Sequence, residues 1–191
     1  MGIALRIENW CRRIRHRKGY GVHSPSDYFL ITSVIYEKLP FYAYQELHEL
    51  KMNRSYREKV DKLIFRLANH FQPSIWVNDD PDNCMTEKYV LAACPHVRTM
   101  SIDEIIQSGE APGLVNIGSH DYDKHFNMLL PFVDNSTCFI IGNPNESKEK
   151  TEWWKQVTQD KRTGVTFDLF DVGLVFFDKK RFKEHRIVNF F

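Results

Sequence analysis

The residues that could do chemistry are concentrated in one acidic turn, where Asp79, Asp80 and Asp82 follow the apolar run Ser74–Asn78. A predicted helix beginning at Cys84 follows, so the segment reads as strand, turn and helix. In a doubly wound α/β domain, the first unit of this kind is where a cofactor usually docks. Such turns rely on glycine because the backbone must approach the ligand closely, and this turn contains none. The sequence therefore predicts the scaffold of a cofactor site without its cofactor loop.

Two histidines and two acids lie after the third predicted strand and offer a second set of reactive groups. His120 could serve as a base for proton removal. Asp121 and His125 share one face of a predicted helix, and Asp123 lies between them. Metal ligation is one interpretation of this spacing. Helix-start acids favoured by the helix dipole, together with a surface histidine, are the other interpretation, and we predict no metal site.

A further candidate site is a glycine-containing loop next to a basic segment. Residues 3–17 have apolar side chains at helical spacing with arginines between them. This helix either packs on the domain with a solvated cationic face or forms a phosphate- or nucleic-acid-binding arm. His23 is either a ligand or acid/base group, or a loop histidine hydrogen-bonded to backbone. The candidate residues of the loop are Gly19, Tyr20, Gly21 and His23.

The composition is that of a globular protein. The chain has 191 residues, of which 42% are hydrophobic and 14% aromatic, enough for a packed core. The net charge of +1 creates no global field toward nucleic acid or membrane, so we expect neither as a partner. No run approaches the roughly 20 apolar residues that cross a bilayer, and no signal peptide is recognised. None of the four cysteines forms a CxxC pair, so we expect reduced thiols and a cytoplasmic protein.

Strands and helices alternate through the middle of the sequence. Residues 55–71 carry the clearest apolar stripe, and Arg66 lies on the face predicted to be solvated. Residues 165–177 predict an antiparallel hairpin, in which strand alternation and turn preference explain Asp168 and Asp171. The prediction is a three-layer α/β/α Rossmann-like domain with a mainly parallel sheet. Its parallel strands are predicted at 74–78, 97–100, 113–118 and 137–141.

The front of the chain is predicted to be helical. A helix from Pro25 to Leu39 stops before Pro40, and residues 41–52 are expected to be irregular or weakly helical. We expect one domain over 1–191, in which an extension, 1–53, packs on an α/β core, 54–191.

The order of elements and several local motifs resemble a known family. A helical front end, a mainly parallel sheet and a final antiparallel strand resemble the class I S-adenosylmethionine-dependent methyltransferase fold. More specifically, nearly the whole chain resembles a group of small bacterial methyltransferase-like proteins, chiefly from Bacteroidetes. The motifs that carry this resemblance are Lys18–Pro25, Leu63–Pro73, Phe167–Phe177 and Lys183–His185.

The resemblance implies where a cofactor would bind, and this sequence departs from the family there. The family's first strand ends in an acid and a glycine-bearing loop that wraps the cofactor. The acid expected after the second strand, which would bind the ribose, falls near Ser101. The acidic groups after the fourth and fifth family strands are also lost, and only His120 remains of them. By position, the candidate cofactor-binding residues are Asn78, Asp79, Asp80, Ser101, Gly118 and Ser119, with His120 as the candidate catalytic base.

The segment between the second predicted strand and Gly113 is short. About a dozen residues stand where the family has a helix, a strand and another helix. At roughly 3.3 Å per extended residue they can cross the sheet but hardly add another βα unit. We therefore expect the sheet to be shortened at this edge.

Three functions are compatible with these observations. The first is a degenerate methyltransferase-like protein, a pseudoenzyme without a cofactor that acts as a binding or scaffold module. The second is an active S-adenosylmethionine-dependent O-methyltransferase with an atypical pocket. The third is nucleic-acid or phosphate binding through the basic helix, against which the near-neutral charge argues. A protein partner or a homo-oligomer is left open.

Overall fold

The computed structural model describes residues 10–49, 55–79, 84–118 and 121–190. The strands are β1 (Ile75–Asn78), β2 (Arg98–Met100), β3 (Leu114–Ile117), β4 (Cys138–Gly142), β5 (Thr166–Asp168), β6 (Val172–Phe176) and β7 (His185–Ile187). The α-helices are α1 (Pro25–Phe29), α2 (Tyr42–Glu49), α3 (Ser55–Phe71), α4 (Cys84–Ala93), α5 (Ile102–Ser108), α6 (Tyr122–Leu129) and α7 (Lys148–Gln159). A π-helix, Leu30–Ile35, continues α1, and 3-10 turns occupy Ile14–His16 and Leu130–Phe132.

The described strands form one sheet in the order β2–β1–β3–β4–β6–β5–β7. Strands β1 to β4 are parallel, whereas β6 runs antiparallel to both β4 and β5. The predicted Rossmann-like fold with a terminal antiparallel hairpin is therefore confirmed. Strand β2 lies at one edge, and α5 alone connects it to β3, which confirms the predicted shortening. Strand β7, which pairs in parallel with β5, was not predicted because its three residues, His-Arg-Ile, form no apolar run.

Helices cover both faces of the sheet because its central strands are buried on both sides. In β1, Trp76 packs into a core with the π-helix and α2 to α4, whereas Ile75 and Val77 pack into a second core with α5 to α7. This alternation follows from the two-residue period of a strand. All three side chains are at most 1% exposed. Within the described ranges, no helix is long and apolar enough to cross a membrane.

The helix that starts at Pro25 ends earlier than predicted. The helical run stops at Ile35 rather than Leu39, where Arg66 donates from Nε to the Val34 carbonyl at 2.7 Å and from Nη2 to the Ile35 carbonyl at 3.1 Å. Arg66 is only 8% exposed, so its prediction as solvated charge was wrong. Its guanidinium satisfies carbonyls that the end of a helix leaves without partners. The segment predicted as irregular or weakly helical contains the helix α2.

The basic front segment is held by a buried carboxylate. Residues 3–9 lie outside the described part, Trp10–Arg12 are helical, and a 3-10 turn follows. Arg13 contacts the Asp168 carboxylate through Nη1 at 2.8 Å and Nη2 at 3.1 Å. Asp168 also accepts from the main-chain N–H of Phe170, a residue in the left-handed region at φ 75°. Arg13 is therefore not part of a solvated face, and Asp168 is an ion-pair partner rather than a residue placed by strand alternation alone.

The front segment also contacts the strand end beyond β7. The main-chain N–H of Asn189 donates to the His16 carbonyl at 2.9 Å, and its side-chain amide donates to the Trp10 carbonyl at 3.4 Å. The Tyr36 hydroxyl donates to the Asn189 carbonyl. These bonds connect segments more than 150 residues apart in the chain.

Candidate functional site

The candidate site lies at the carboxyl edge of the parallel strands. Asp79 directly follows β1 and Gly118 directly follows β3, so both positions reach the same edge. The Asp79 main-chain N–H donates to the Asn116 carbonyl at 3.0 Å, which extends the pairing of the two strands by one residue. This is the edge at which ligands bind in open α/β sheets.

The carboxylate of Asp79 contacts a histidine on α6, the third helix after β1. Nδ1 of His125, on α6, lies 2.7 Å from Oδ1 of Asp79. The side chains are 19% and 7% exposed, respectively. The contact ties α6 to the end of β1. A carboxylate that holds Nδ1 of an imidazole fixes the orientation of the ring, and this arrangement serves equally in structural support and in general-base catalysis.

The amide of Asn78 is engaged by the neighbouring strand. Asn78 and Asn116 are partners in the β1–β3 register, and the Asn116 side-chain amide donates to Oδ1 of Asn78 at 2.9 Å. Asn116 is 6% exposed, so this bond satisfies a buried polar group. The position therefore contributes to strand pairing.

Ser101 begins the helix α5 rather than facing the site with an open polar group. Its hydroxyl accepts from the Glu104 main-chain N–H at 3.3 Å, while the Glu104 carboxylate accepts from the Ser101 N–H at 2.7 Å and from its hydroxyl at 2.8 Å. This reciprocal pattern is a capping box. Hydrogen bonds from the Ser101 main chain and hydroxyl hold the pKa of Glu104 below its usual range. Both groups of Ser101 are thus engaged in the helix start.

Gly118 lies against the neighbouring strand. A Cβ atom on Gly142, at the end of β4, would approach Cα of Gly118 at 3.5 Å, which is ordinary contact. Asp80, Ser119 and His120 lie outside the described residues, so their predicted roles stay predictions. Of the six positions predicted for cofactor binding, Asn78, Asp79 and Gly118 meet at β1 and β3, and Ser101 is at the end of the adjacent β2.

His125 is placed differently from the surface histidine that the sequence predicted, whereas Asp123 is an exposed acid in the first turn of α6, as predicted. His125 is largely buried against Asp79, and Asp123 accepts from Nε1 of Trp153 at 2.7 Å. His125 falls three residues after Tyr122 and four before Leu129, on the inward side of α6. That spacing was the signal that His125 faces the interior. Asp121 is exposed at the helix start, without a capping bond from its side chain.

No group of three or more histidine, cysteine or acidic side chains is placed to hold a metal ion among the residues that the structure describes.

The loop at Gly19–His23 forms a separate region. Gly19 and Gly21 both have φ of 75°, and a Cβ atom on Gly19 would meet the Tyr28 ring at 2.9 Å, so only glycine fits at position 19. Tyr20 is 81% exposed and lines a cavity of about 520 Å³ together with Ile14, Arg15 and Arg17. His23 is exposed.

Sequence comparisons identify no relative. No family model matches the chain, and no curated protein matches it.

Solved structures share the fold. An S-adenosylhomocysteine-bound methyltransferase from Podospora anserina is similar over 84% of this chain and 97% of its own, with a TM-score of 0.52 and 9% identity. Two further structures are similar at lower scores. A methyltransferase from Geobacter sulfurreducens has a TM-score of 0.49 at 10% identity and covers 75% of this chain and 92% of its own. An O-methyltransferase of tomaymycin synthesis from Streptomyces achromogenes, solved with S-adenosylmethionine, has a TM-score of 0.48 at 9% identity, covering 72% and 89%. The chain therefore has a methyltransferase-like fold.

Proposed function

We propose that this chain is a methyltransferase-like protein that does not transfer methyl groups and acts as a binding or scaffold module. The observation that carries the proposal is the engagement of the carboxyl edge by the protein's own groups. Asp79 is paired with His125 at 2.7 Å, and Ser101 is held in the capping box with Glu104. A cofactor would have to displace these contacts. Each displaced side chain would then need a new hydrogen-bond partner, which is a cost to binding.

The sequence lacks the groups with which the resembled family binds S-adenosylmethionine. A ribose needs an acid after the second strand, and Ser101 supplies no carboxylate there. The methionine part needs a glycine-bearing loop after the first strand, and the sequence supplies Asp79, Asp80 and Pro81. Proline removes an N–H donor and restricts the turn. Both departures weaken binding of the same ligand, and together they favour loss of cofactor binding.

Calorimetry with S-adenosylmethionine and S-adenosylhomocysteine on the full chain tests this proposal. We expect no saturable heat and no change in melting temperature. A ligand at a hundredfold excess over its dissociation constant would add about 2.7 kcal/mol of stability. For a domain of this size, that is a shift of about 5–11 °C, well within reach of a thermal melt. Micromolar binding of either compound at the carboxyl edge of the sheet would refute the proposal.

The Asp79–His125 pair supports a second candidate, an active O-methyltransferase with an atypical pocket. Methyl transfer to a hydroxyl needs positioning and removal of a proton, and an imidazole oriented by a carboxylate is suited to the second task. The test is transfer of a labelled methyl group from S-adenosylmethionine to a panel of hydroxyl acceptors. Turnover by the wild type that is lost in His125→Gln and kept in Asp103→Asn, an exposed control, would favour this candidate.

Nucleic-acid binding through the basic segment stays a less favoured prediction. The charge that segment offers is reduced, because Arg13 is paired with Asp168. Arg15 and Arg17 are exposed. Binding to RNA or DNA that weakens steeply with salt would support this alternative, and we expect none at physiological ionic strength.

A further inference from the structure

A second cavity lies at the edge of the sheet opposite the candidate site. Its volume is about 600 Å³, within the range of small-molecule sites. The lining includes Ser74, Gly113 and Ser136, which precede β1, β3 and β4 respectively. The cavity therefore opens at the amino ends of the parallel strands, whereas cofactors of this fold bind at the carboxyl ends. We call it the amino-edge cavity.

The walls of the amino-edge cavity are aromatic. The rings of Phe29 and His70 are 5.6 Å apart between centroids, those of His70 and Phe71 are 4.7 Å apart, and those of Phe71 and Phe176 are 5.7 Å apart. Burial lowers the pKa of His70, so its imidazole is neutral at pH 7 and adds a ring without a charge. Phe29 is 51% exposed, which leaves a large apolar ring in contact with water at the lining. A bound ligand would cover this surface.

The charge of the lining is negative. Asp134 and Asp178 both line the cavity. Burial opposes ionisation of Asp134, but hydrogen bonds from Ser136 and Thr137 prevail and hold its pKa below the usual range. That carboxyl is therefore ionised at neutral pH. Two carboxylates at the lining favour a positively charged ligand.

The cationic side chain in the lining is already neutralised. Arg181 pairs with Asp27, which is only 2% exposed. Arg186 shares Asp27 and also pairs with Glu184, so the two arginines face two carboxylates. The Arg181 guanidinium also lies 5.8 Å from the centroid of the Phe176 ring, so one wall of the cavity already holds a cation against an aromatic face. A ligand cation would meet the same combination of ring faces and carboxylates, which recognises ammonium groups in proteins.

We propose that the amino-edge cavity binds a small organic cation, an amine or quaternary ammonium carried on an apolar body. The apolar body would cover Phe29 and Phe71, and the charge would lie toward Asp134 and Asp178. This proposal goes beyond the proposed function, because it concerns the opposite edge of the sheet and does not depend on the fate of the methyl donor. Either proposal can fail while the other holds.

Titration of the full chain with three probes of similar shape tests the charge preference. The probes are benzyltrimethylammonium, its neutral isostere neopentylbenzene and the anion benzenesulfonate. We expect saturable binding of the cation, about tenfold weaker binding of the neutral compound, consistent with about 1.4 kcal/mol for a partly desolvated cation–π contact, and none of the anion. No saturable binding of the cation, or equal binding of the neutral compound or the anion, would overturn the proposal.

Charge-neutral variants locate the site without removing its hydrogen bonds. Oδ1 of Asp178 accepts from the Lys180 N–H at 2.9 Å, and an asparagine oxygen can accept the same bond. Asp178→Asn and Asp134→Asn should each weaken binding of benzyltrimethylammonium about tenfold. The melting temperature should change little in Asp178→Asn and fall in Asp134→Asn, because hydrogen bonds stabilise the ionised form of Asp134. Phe29→Leu should weaken binding of the cation and binding of the neutral probe to a similar extent. Asp103→Asn, exposed on α5, should bind as the wild type does.

The variants also separate the two proposals. Cation binding that is unchanged in both aspartate variants, or reduced as much in Asp103→Asn, would contradict the amino-edge assignment. S-adenosylmethionine is itself a sulfonium cation, so any binding of it is repeated with Asp178→Asn. Binding that this variant abolishes belongs to the amino-edge cavity. Binding that the variant leaves unchanged contradicts the proposed function instead.

Discussion

Removal of the Arg13 guanidinium should destabilise the protein strongly. The variant Arg13→Met keeps an apolar stem of similar length and removes both bonds to the Asp168 carboxylate, at 2.8 and 3.1 Å, and the bond to its main-chain carbonyl at 3.1 Å. The two side chains are 12% and 10% exposed. The variant therefore leaves a largely buried carboxylate without its cation, while the hydrogen bond from the Phe170 N–H remains.

The expected loss of stability is large because the variant leaves a buried carboxylate without a positively charged partner. Breaking a buried ion pair by removing one partner costs about 3–5 kcal/mol. Since about a tenth of each side chain remains in contact with water, we take the lower end, about 3 kcal/mol. In a domain of this size that lowers the melting temperature by about 6–12 °C. Asp168→Asn should cost less, because its amide oxygen can still accept from the Phe170 N–H.

Denaturant unfolding of a double-mutant cycle measures the pair. The proteins are the wild type, Arg13→Met, Asp168→Asn and the double variant, and we expect a coupling energy of about 1–3 kcal/mol. Arg15→Met is the matched control, an exposed arginine two residues away, and should change stability by less than about 0.5 kcal/mol. A cost for Arg13→Met no larger than that of the control would refute the reasoning.

The titration of His185 gives a second readout of the same pair. Burial lowers the pKa of His185, the Asp168 charge raises it and the Arg13 charge lowers it further. The pKa of His185 should therefore rise in Arg13→Met and fall in Asp168→Asn. NMR titration of the imidazole follows both shifts. Shifts of the same sign would show that the two charges do not act on this histidine as the geometry implies.

Three further changes have defined outcomes. Because the pKa of His185 is lowered below its unfolded value of about 6.5, the unfolded chain binds more protons near that pH. The free energy of unfolding should therefore fall as the pH drops from about 7.5 to 5.5, and it should fall less in His185→Gln. Denaturant curves at the two pH values measure both changes. Gly173→Ala places a Cβ atom 2.6 Å from the Trp154 ring and should cost about 1–3 kcal/mol in the same assay, and a neutral result would mean that the indole moves aside freely. Arg66→Met removes the guanidinium that binds two carbonyls at the end of the π-helix and should cost about 2–4 kcal/mol. The control Lys62→Met removes a partly exposed ion pair within one helix and should cost less than about 1 kcal/mol. Equal losses in the two variants would contradict the capping role of Arg66.

The fold was largely predictable because the central strands of the sheet are apolar on both faces. The run Cys138–Ile141 has no polar side chain, and its strand lies in the middle of the sheet with both faces covered. The buried partners of charged residues were not predictable. Arg66 has the same local context as the solvated cations of its helix, and its role depends on carbonyls 31 and 32 residues away in sequence.

The candidate site was predictable in place and not in chemistry. Asp79 could be assigned to a strand end from the apolar run before it, and strand order then fixed the edge. The burial of His125 was predictable only from its position relative to the apolar residues of its helix. Its partner, Asp79, is 46 residues away in the sequence, and no local pattern spans that separation. Ser101 and Glu104 did have the spacing of a capping box, and that spacing indicates a helix start rather than a ligand position.

The bonds from Asn189 to His16 and Trp10 can form only after residue 189 has been synthesised. A ribosome releases residues 10–16 early, at about 5–20 residues per second, and residue 189 at least about 9 seconds later. During that interval the basic segment has neither Asp168 nor Asn189 to bind, so its docking must be among the last steps of folding. The basic segment therefore cannot make these contacts until β5 and residue 189 have emerged from the ribosome.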